Sequence, residues 1–216
     1  QAVLAKAPAS LASAAKARLP NGGQASVSSQ SSSTNKTSSA KSSRYQWQLV
    51  KNVSPEIQEA LKHHRAGEGK QAEALWVKLL PTLSKTEHVE ALCYLAQSQM
   101  MQGKNREAIA SWEQLEKETS DSNLAFGAAL RQGDLQGRYL KNWTQAEITW
   151  QHAAKLAKED AQRWEVACNL ATVPFNKKQY PQALEALEGL LKQYPTEQTA
   201  DFVRPYLWYI KNCTEK

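Results

Sequence analysis

The side chains that could carry out acid–base, nucleophilic or metal chemistry are scattered along this sequence. His63 and His64 are neighbours and so point to different sides of a helix, while His88 and His152 are distant in sequence. None of the HExxH, GxSxG, P-loop or GxGxxG motifs occurs, and these are the patterns that hold a metal, a nucleophile or a phosphate. The carboxylates form no recognisable acid/base pair. We therefore expect no catalytic residue, no metal site and no cofactor.

The cysteines Cys93, Cys168 and Cys213 indicate structure rather than redox chemistry. They are odd in number and widely spaced, which fits neither a disulfide framework nor a set of metal ligands. The neighbours of the first two place them inside amphipathic helices. We expect them to act as small buried hydrophobic side chains.

Large aromatic residues recur at nearly constant distance, each four positions after an alanine. The pairs are Ala72 and Trp76, Ala108 and Trp112, Ala146 and Trp150, with Ala183 and Leu187 as a fourth copy. The alanines lie 36, 38 and 37 residues apart, a period that indicates a helical repeat array. A ladder of tryptophans could stack a ligand, but their place inside apolar stripes favours core packing, because aromatic side chains contribute most to burial.

The elements that carry these pairs are predicted to be antiparallel helices joined by short turns. We predict four helix pairs over residues 54–82, 86–119, 122–158 and 160–195, and a C-terminal capping helix over 198–213. Apolar residues recur three and four apart within each helix. Ser84 with Glu87 and Thr144 with Glu147 have the spacing of capping boxes, and Asn105 is the predicted cap of another helix.

The third pair is the irregular one, because Gly127, Gly133 and Gly137 interrupt its first helix. Glycine costs roughly 1 kcal/mol relative to alanine in an exposed helix. Two interpretations remain open at this stage. Either a neighbouring element approaches closely at these glycines, or the helix breaks near Gly133.

The N-terminal 44 residues differ in composition from the rest of the chain. Twelve of them are serine and none is aromatic, so they cannot bury enough apolar surface to offset the entropy of ordering. We expect a disordered basic tail over 1–44 and a folded domain over 45–213. The chain has a net charge of +6 but no acidic residue before Glu56, so the helical part is nearly neutral, which argues against nucleic acid as its partner.

The role of the tail stays open between three interpretations. It fits a plain linker, an electrostatic anchor, or the remnant of a processed chain that was exported or targeted to an organelle. The sequence begins with Gln1, so we expect that something upstream was removed. No apolar run approaches the ~18 residues that span a bilayer. We expect a soluble chain whose membrane contact, if any, is made by the tail.

The helix pairs resemble the tetratricopeptide repeat family over about residues 52–213. In that family a small residue late in the first helix precedes a turn glycine, and the second helix carries a small and a bulky residue four apart. The second pair matches this pattern best, with Leu95, Ala96, Gly103, Ala108 and Trp112. In the third pair Asp134 stands where the small residue should be. The resemblance implies an all-α, right-handed solenoid whose first helices line a concave groove.

The resemblance also implies a protein or peptide partner in that groove, bound by exposed residues of the first helices. The candidates are Glu90, Cys93, Gln97, Met100 and Met101 in the second pair and Glu165, Cys168, Asn169 and Thr172 in the fourth. Asn169 lies where many members use an amide to hold a peptide backbone. Members that bind a carboxylate-terminated chaperone tail have Lys and Asn at set groove positions. Those positions here hold Ile57, Leu61, Cys93 and Gln97, which argues against that class of partner.

We therefore interpret the chain as a non-enzymatic scaffold or assembly factor that binds a peptide or protein. Two alternatives stay open. The basic tail could tether the scaffold to a membrane or a nucleic acid through its Lys and Arg side chains. The chain could also be the accessory domain of a larger enzyme system, with groove carboxylates such as Glu90 or Glu165 in use.

Overall fold

The computed structural model describes Lys51 and residues 54–213. The chain divides into a unit of residues Gln1–Gln46 and a unit of residues Trp47–Lys216, and every described residue belongs to the second. The predictions for the tail over 1–44 lie outside the described residues. They stay predictions.

Nine α-helices follow one another through the described residues, and no strand lies among them. They are α1 Pro55–Arg65, α2 Gly69–Leu79, α3 Lys85–Met101, α4 Asn105–Glu118, α5 Ser122–Asp134, α6 Trp143–Leu156, α7 Asp160–Asn176, α8 Tyr180–Gln193 and α9 Glu197–Cys213. A 3₁₀ turn, Leu80–Thr82, follows α2, and a π-helix, Leu135–Tyr139, follows α5. Each helix packs chiefly on the helices before and after it in sequence. This is the arrangement of a solenoid, and the predicted all-α fold of helix pairs is confirmed.

Two of the predicted helix starts need correction, whereas the capping box before α3 is confirmed. The Glu87 carboxylate accepts hydrogen bonds from the Ser84 backbone N–H at 3.2 Å and from its hydroxyl at 2.7 Å. Asn105 is the first residue of α4 rather than its cap. The predicted capping box of Thr144 with Glu147 is wrong, because α6 begins at Trp143 and Thr144 is already inside the helix.

The cap of α6 is Asn142, which the sequence analysis missed. Its side-chain oxygen accepts a hydrogen bond from the Gln145 backbone N–H at 3.2 Å, which satisfies one of the N–H groups that a helix start leaves without an intrahelical partner. Glu147 is therefore free to reach the next repeat, where Lys177 donates to its carboxylate at 2.7 Å.

The turns between the helices of a pair share one backbone conformation. Gly67, Gly103, Lys141 and Lys178 all have positive φ, between 58° and 75°. This left-handed conformation closes a helix and is natural for glycine, but it strains a residue with a side chain. The first two pairs use glycine at this position and the last two use lysine.

The predicted alanine and tryptophan positions form the core. Ala72, Ala108, Ala146 and Ala183 are fully buried, as are Trp76 and Trp150, and Trp112 is nearly so. Core packing of the tryptophans is therefore confirmed. Three clusters make up the core, one in α1–α4 with two residues of the next pair, one in α5–α7, and one in α7–α9.

Three apolar residues of the second helices lie outside the core. Ile148 and Leu184 are exposed, and Ala154 is exposed as well. The buried stripe of α6 runs through Ala146, Thr149, Trp150 and Ala153. This stripe has the three- and four-residue spacing of one helix face, and Ile148 lies beside it.

The last helix covers the end of the solenoid, as predicted for residues 198–213. Val203 and Ile210 of α9 are buried against the Leu187 and Leu190 side chains of α8. The Trp164 indole N–H of α7 donates to the Thr199 hydroxyl at 2.9 Å. A terminal repeat needs such a cover because its apolar face has no following neighbour.

The irregular third pair contains one extra residue, and the π-helix absorbs it. Twelve positions separate Ala60 from Ala72, Ala96 from Ala108 and Ala171 from Ala183, whereas thirteen separate Gly133 from Ala146. Asp134 lies twelve positions before Ala146, but Gly133 is the residue that lies directly against the Trp150 indole, so Gly133 is the small residue of this pair. The assignment of Asp134 to that position is wrong.

A buried hydrogen bond fixes the same register independently. In the second pair the Ser111 hydroxyl donates to Gln99 Oε1 at 2.8 Å, and in the third the Thr149 hydroxyl donates to Gln136 Oε1 at 2.7 Å. Each glutamine lies three residues after the small residue of its first helix. The two pairs therefore superpose only when Gly133 is matched to Ala96.

Both interpretations of the glycines in this helix apply. A Cβ atom on Gly133 would lie 2.4 Å from Trp150 Nε1, and one on Gly137 would lie 2.8 Å from Trp143 Cζ3. These contacts leave no room for a side chain, so the second helix does approach closely. The α-helix also ends just after Gly133 and continues as a π-helix.

Candidate functional site

The first helices of the pairs are α1, α3, α5 with its π extension, and α7. Polar side chains join α1 to α3 and the π extension to α7. We call the surface that these helices form the first-helix face. His64 Nδ1 of α1 lies 3.3 Å from the Ser98 hydroxyl of α3. Arg138 of the π-helix reaches α7, where its Nη2 donates to Asn169 Oδ1 at 2.8 Å. Residues about thirty positions apart in sequence thus meet on one face.

The residues predicted for the groove divide into accessible and buried ones. Gln97 and Met100 are half-buried, Met101 is 48% exposed, and Glu165 is exposed. The buried ones are Glu90, Cys93, Cys168, Asn169 and Thr172. The expectation that these five are exposed is wrong.

Glu90 departs most from the expectation, with 0% of its surface exposed. Residues all round α3 are buried, because this helix is packed between α2 and α4 and beside the neighbouring first helices. A carboxylate in that position cannot contact a partner on the surface. Thr172 is similarly occupied, since its hydroxyl donates to the Asn169 carbonyl oxygen at 2.8 Å.

The two cysteines of the face are confirmed as buried, and both thiols are free. Burial raises the pKa of Cys93 to about 12 and that of Cys168 to about 12. The Gln97 side-chain amide donates to Cys93 Sγ at 3.0 Å. Because the thiolate is the reactive form of cysteine, neither thiol is poised as a nucleophile at neutral pH.

An arginine pair around Asp134 occupies the middle of the face, and the sequence analysis missed it. Arg131 Nη1 lies 3.5 Å from Asp134 Oδ2, and Arg138 Nε lies 3.5 Å from Asp134 Oδ1. The Arg131 side chain is 50% exposed, whereas that of Asp134 is 16% exposed. Burial raises the pKa of the Asp134 carboxyl, while the charges of Arg138 and Arg131 lower it.

Alignment of the third pair on Gly133 would have revealed this site from the sequence. Asp134 directly follows the small residue Gly133, as Gln97 follows Ala96 and Thr172 follows Ala171. Asp134 is thus the third-pair equivalent of two residues that were predicted to lie in the groove. The extra residue in the π-helix concealed the equivalence.

Glu165 completes the charged group from the side of α7. Its side chain is exposed at the rim, yet the surrounding protein partly desolvates its carboxyl, which raises its pKa. Arg131 lowers the pKa and Asp134 raises it further. Two guanidinium groups and two carboxyl groups therefore share the centre of the first-helix face.

Asn169 presents only half of its hydrogen-bonding capacity to a partner. Because a guanidinium group has no acceptor, the atom that Arg138 contacts must be the amide oxygen. None of the residues in the described ranges accepts a hydrogen bond from the Asn169 amide nitrogen. The available half of this amide is therefore the donor half, rather than the donor and acceptor pair expected from the sequence.

Residues 54–213 contain neither a metal-binding cluster nor a membrane-spanning helix. No group of three or more His, Cys, Asp or Glu side chains there could hold a metal ion. None of the nine helices described is long and apolar enough to cross a bilayer.

The comparison with known families agrees with the helix pairs. The family model described as "Tetratricopeptide repeat" matches residues 90–122 and 152–196. The chain carries tetratricopeptide repeats. The two matches include the whole of the fourth pair and the second pair from residue 90 onward, and both of these pairs keep the twelve-residue spacing of small residues. The third pair, whose register is irregular, lies largely in the gap between the two matches.

A solved structure supports the fold of these repeats. The structure titled "MamA RS-1 ArsTM double mutant" is similar with a TM-score of 0.53 and 13% sequence identity, over 74% of this chain and 94% of that one. Identity at this level shows the fold alone. No curated protein matches the sequence.

Proposed function

We propose that this repeat protein is a non-enzymatic scaffold that binds an extended segment of a partner protein along the first-helix face. Tetratricopeptide repeats and the solenoid fold support an interaction scaffold in general. The choice of face rests on one observation, the unused hydrogen-bond donors at its centre. These are the Asn169 amide nitrogen and the half-exposed guanidinium group of Arg131.

Side chains of α3 extend the proposed contact surface on one side of this centre. Gln97 is half-buried, Met100 lies beside it, and Met101 is exposed. Methionine is flexible and polarisable, so it adapts to apolar side chains of different shape. On the other side, Glu165 offers a carboxylate at the rim of α7. Gln97, Met100, Met101, Glu165 and Asn169 are therefore the proposed partner contacts.

Polar groups near the second helices are, by contrast, engaged in pairs that join one repeat to the next. Lys104 donates to Glu73 at 2.5 Å and Lys177 donates to Glu147 at 2.7 Å. His152 of α6 contacts Glu116 of α4 at 2.5 Å. These contacts stabilise the stacking of repeats and leave fewer groups for a partner.

Photo-crosslinking from matched positions tests the proposed face. A photoreactive amino acid is placed at Met101 on α3 or at Ile148 on α6, whose exposed fractions are 48% and 54%. The full chain is then irradiated in an extract of the source cell. We expect a defined adduct from position 101 that excess wild-type chain competes away, and none from position 148.

A second substitution links the adduct to the centre of the face. Arg131→Ala should reduce the yield from position 101, whereas Lys155→Ala on the exposed side of α6 should not. Both variants are checked for an unchanged melting temperature. A competed adduct from position 148 with none from position 101 would show that the second helices bind the partner and would refute the proposal.

A further inference from the structure

The centre of the first-helix face holds more hydrogen-bond donors than the fold uses. A guanidinium group presents five N–H donors, so Arg131 and Arg138 bring ten between them. Among the described residues only one of these N–H groups forms a hydrogen bond, from Arg138 to Asn169 Oδ1 at 2.8 Å. The free amide hydrogens of Asn169 add to this surplus.

The internal partner of the two arginines is poorly placed. Both ion pairs with Asp134 measure 3.5 Å, longer than the about 2.8 Å of a charge-assisted hydrogen bond. Asp134 Oδ1 is buried and has no hydrogen-bond partner within the described ranges. The backbone beside it is fixed, since Gly133 lies directly under the Trp150 indole. The position of Asp134 in the fold therefore gives both arginines only these longer contacts.

A carboxylate from outside has no such restriction. It can accept two parallel hydrogen bonds from one guanidinium group, the geometry that makes arginine–carboxylate pairs strong and specific. A partner side chain entering between the π-helix and α7 would find Arg131, Arg138 and the Asn169 amide on its sides.

We propose that Arg131, Arg138 and Asn169 form a subsite for one acidic side chain, Asp or Glu, within the bound partner segment. The inference rests on the proposed function. The acidic residue is internal to the segment, because the subsite lies on the third of four first helices and the face continues past it in both directions. Asp134 acts as a weak intramolecular competitor for the same two arginines.

The neighbouring carboxylate limits what else the segment carries. Glu165 faces the arginine pair from α7, so a second acidic residue next to the first would meet like charge. The subsite therefore selects a single acidic residue flanked by neutral or basic ones.

Two displayed peptide libraries test this inference with the full chain as target. They are identical except that one encodes Asp or Glu at the central position and the other encodes Asn or Gln. Both are fused at their C-termini to the carrier, so that no free terminal carboxylate is presented. Selected peptides are synthesised as acid and amide pairs, and their dissociation constants are measured at low and high salt.

The acidic peptides should bind wild-type chain about tenfold more tightly than their amide counterparts, the effect of a hydrogen-bonded charge. Arg131→Gln and Arg138→Gln should abolish this preference, and Lys155→Gln, a matched loss of one positive charge on α6, should retain it. Asp134→Asn should strengthen binding of the acidic peptides about threefold.

The outcomes separate this inference from the proposed function. Peptides that bind the first-helix face equally well as acids and amides would overturn the acidic subsite and leave the scaffold proposal standing. Weaker binding by the Asp134→Asn variant would also overturn it, because Asp134 would then be a partner contact. A competed crosslink from position 148 with none from position 101 would refute both the scaffold proposal and the acidic subsite.

Discussion

The second and third helix pairs are built on the same plan and solve the same packing problem differently. In the second, Ala96 lies under the partner helix and α3 stays α-helical to Met101. In the third, Gly133 lies under Trp150 and a five-residue π-helix follows. One additional residue in a first helix is thus tolerated when a π turn absorbs it. π turns are frequently found at functional sites, and this one carries Arg138 to Asn169.

Substitution of the small residue in the first helix should have the largest effect on stability. Gly133→Ala places a Cβ atom 2.4 Å from the rigid Trp150 indole, so one of the two helices must shift, and we expect a loss of about 3 kcal/mol in the free energy of unfolding. Ala96→Gly in the second pair leaves only a methyl-sized gap and removes a good helix former, for about 1 kcal/mol. Urea denaturation measures both.

A double variant tests the cause of that difference. Trp150→Leu removes the ring that the new methyl group meets, so adding it to Gly133→Ala should cost less than the sum of the two single changes. Strict additivity would show that the ring is not the obstacle and that the π-helix tolerates no side chain for another reason.

The buried glutamine–hydroxyl bond should matter about equally in the two pairs. Thr149→Val removes the hydroxyl that donates to Gln136 and leaves the buried amide oxygen of Gln136 without that donor. We expect a loss of about 2 kcal/mol in the free energy of unfolding. Ser111→Ala should have a similar or smaller effect, because Gln99 keeps its contact with Glu73. If only the second-pair change destabilised the chain, the register of the third pair would be wrong. Thermal or urea unfolding of the two variants decides.

Substitution of the turn residue with positive φ should change stability less, and in opposite directions in the second and third pairs. Lys141 has φ of 58° and Gly103 has φ of 72°, a region that disfavours side chains by roughly 1–2 kcal/mol. Lys141→Gly should therefore stabilise the chain by about 1 kcal/mol, and Gly103→Lys should destabilise it by about as much. Equal melting temperatures for the Lys141→Gly variant and the wild type would contradict this reasoning.

The smallest expected effect is a change in pH dependence at Asp134. Burial raises its pKa in the folded chain, so the unfolded chain releases that proton more readily. Ionisation of Asp134 thus opposes folding above its folded-state pKa, and this penalty fades as the pH falls through that pKa. The stability difference between the Asp134→Asn variant and the wild type should shrink on acidification. A difference that grows toward low pH would show that the arginine pair outweighs burial.

Local chemistry was enough to predict the helices. Small and bulky residues four apart, Pro55 at a helix start and Gly103 at a helix end act within one turn of backbone. The pairs predicted over 54–82 and 160–195 accordingly begin with α1 at Pro55 and with α7 at Asp160. The same reasoning failed where two sets of signals competed. Asn142 and Thr144 are both good caps, and in the structure the helix begins at Trp143 with Asn142 as its cap.

By itself the sequence determined the repeat, the core tryptophans and the capping helix, because these follow from the regular spacing of apolar residues along the chain. Only the tertiary structure decided that Gly133 rather than Asp134 is the small residue, that Glu90 is buried, and that Arg138 meets Asn169. Each of these depends on a side chain or helix that lies well away in sequence. Which side chains of a helix are buried, and which pair with another repeat, depends on the helices that pack against it. The sequence of that helix alone does not determine these contacts.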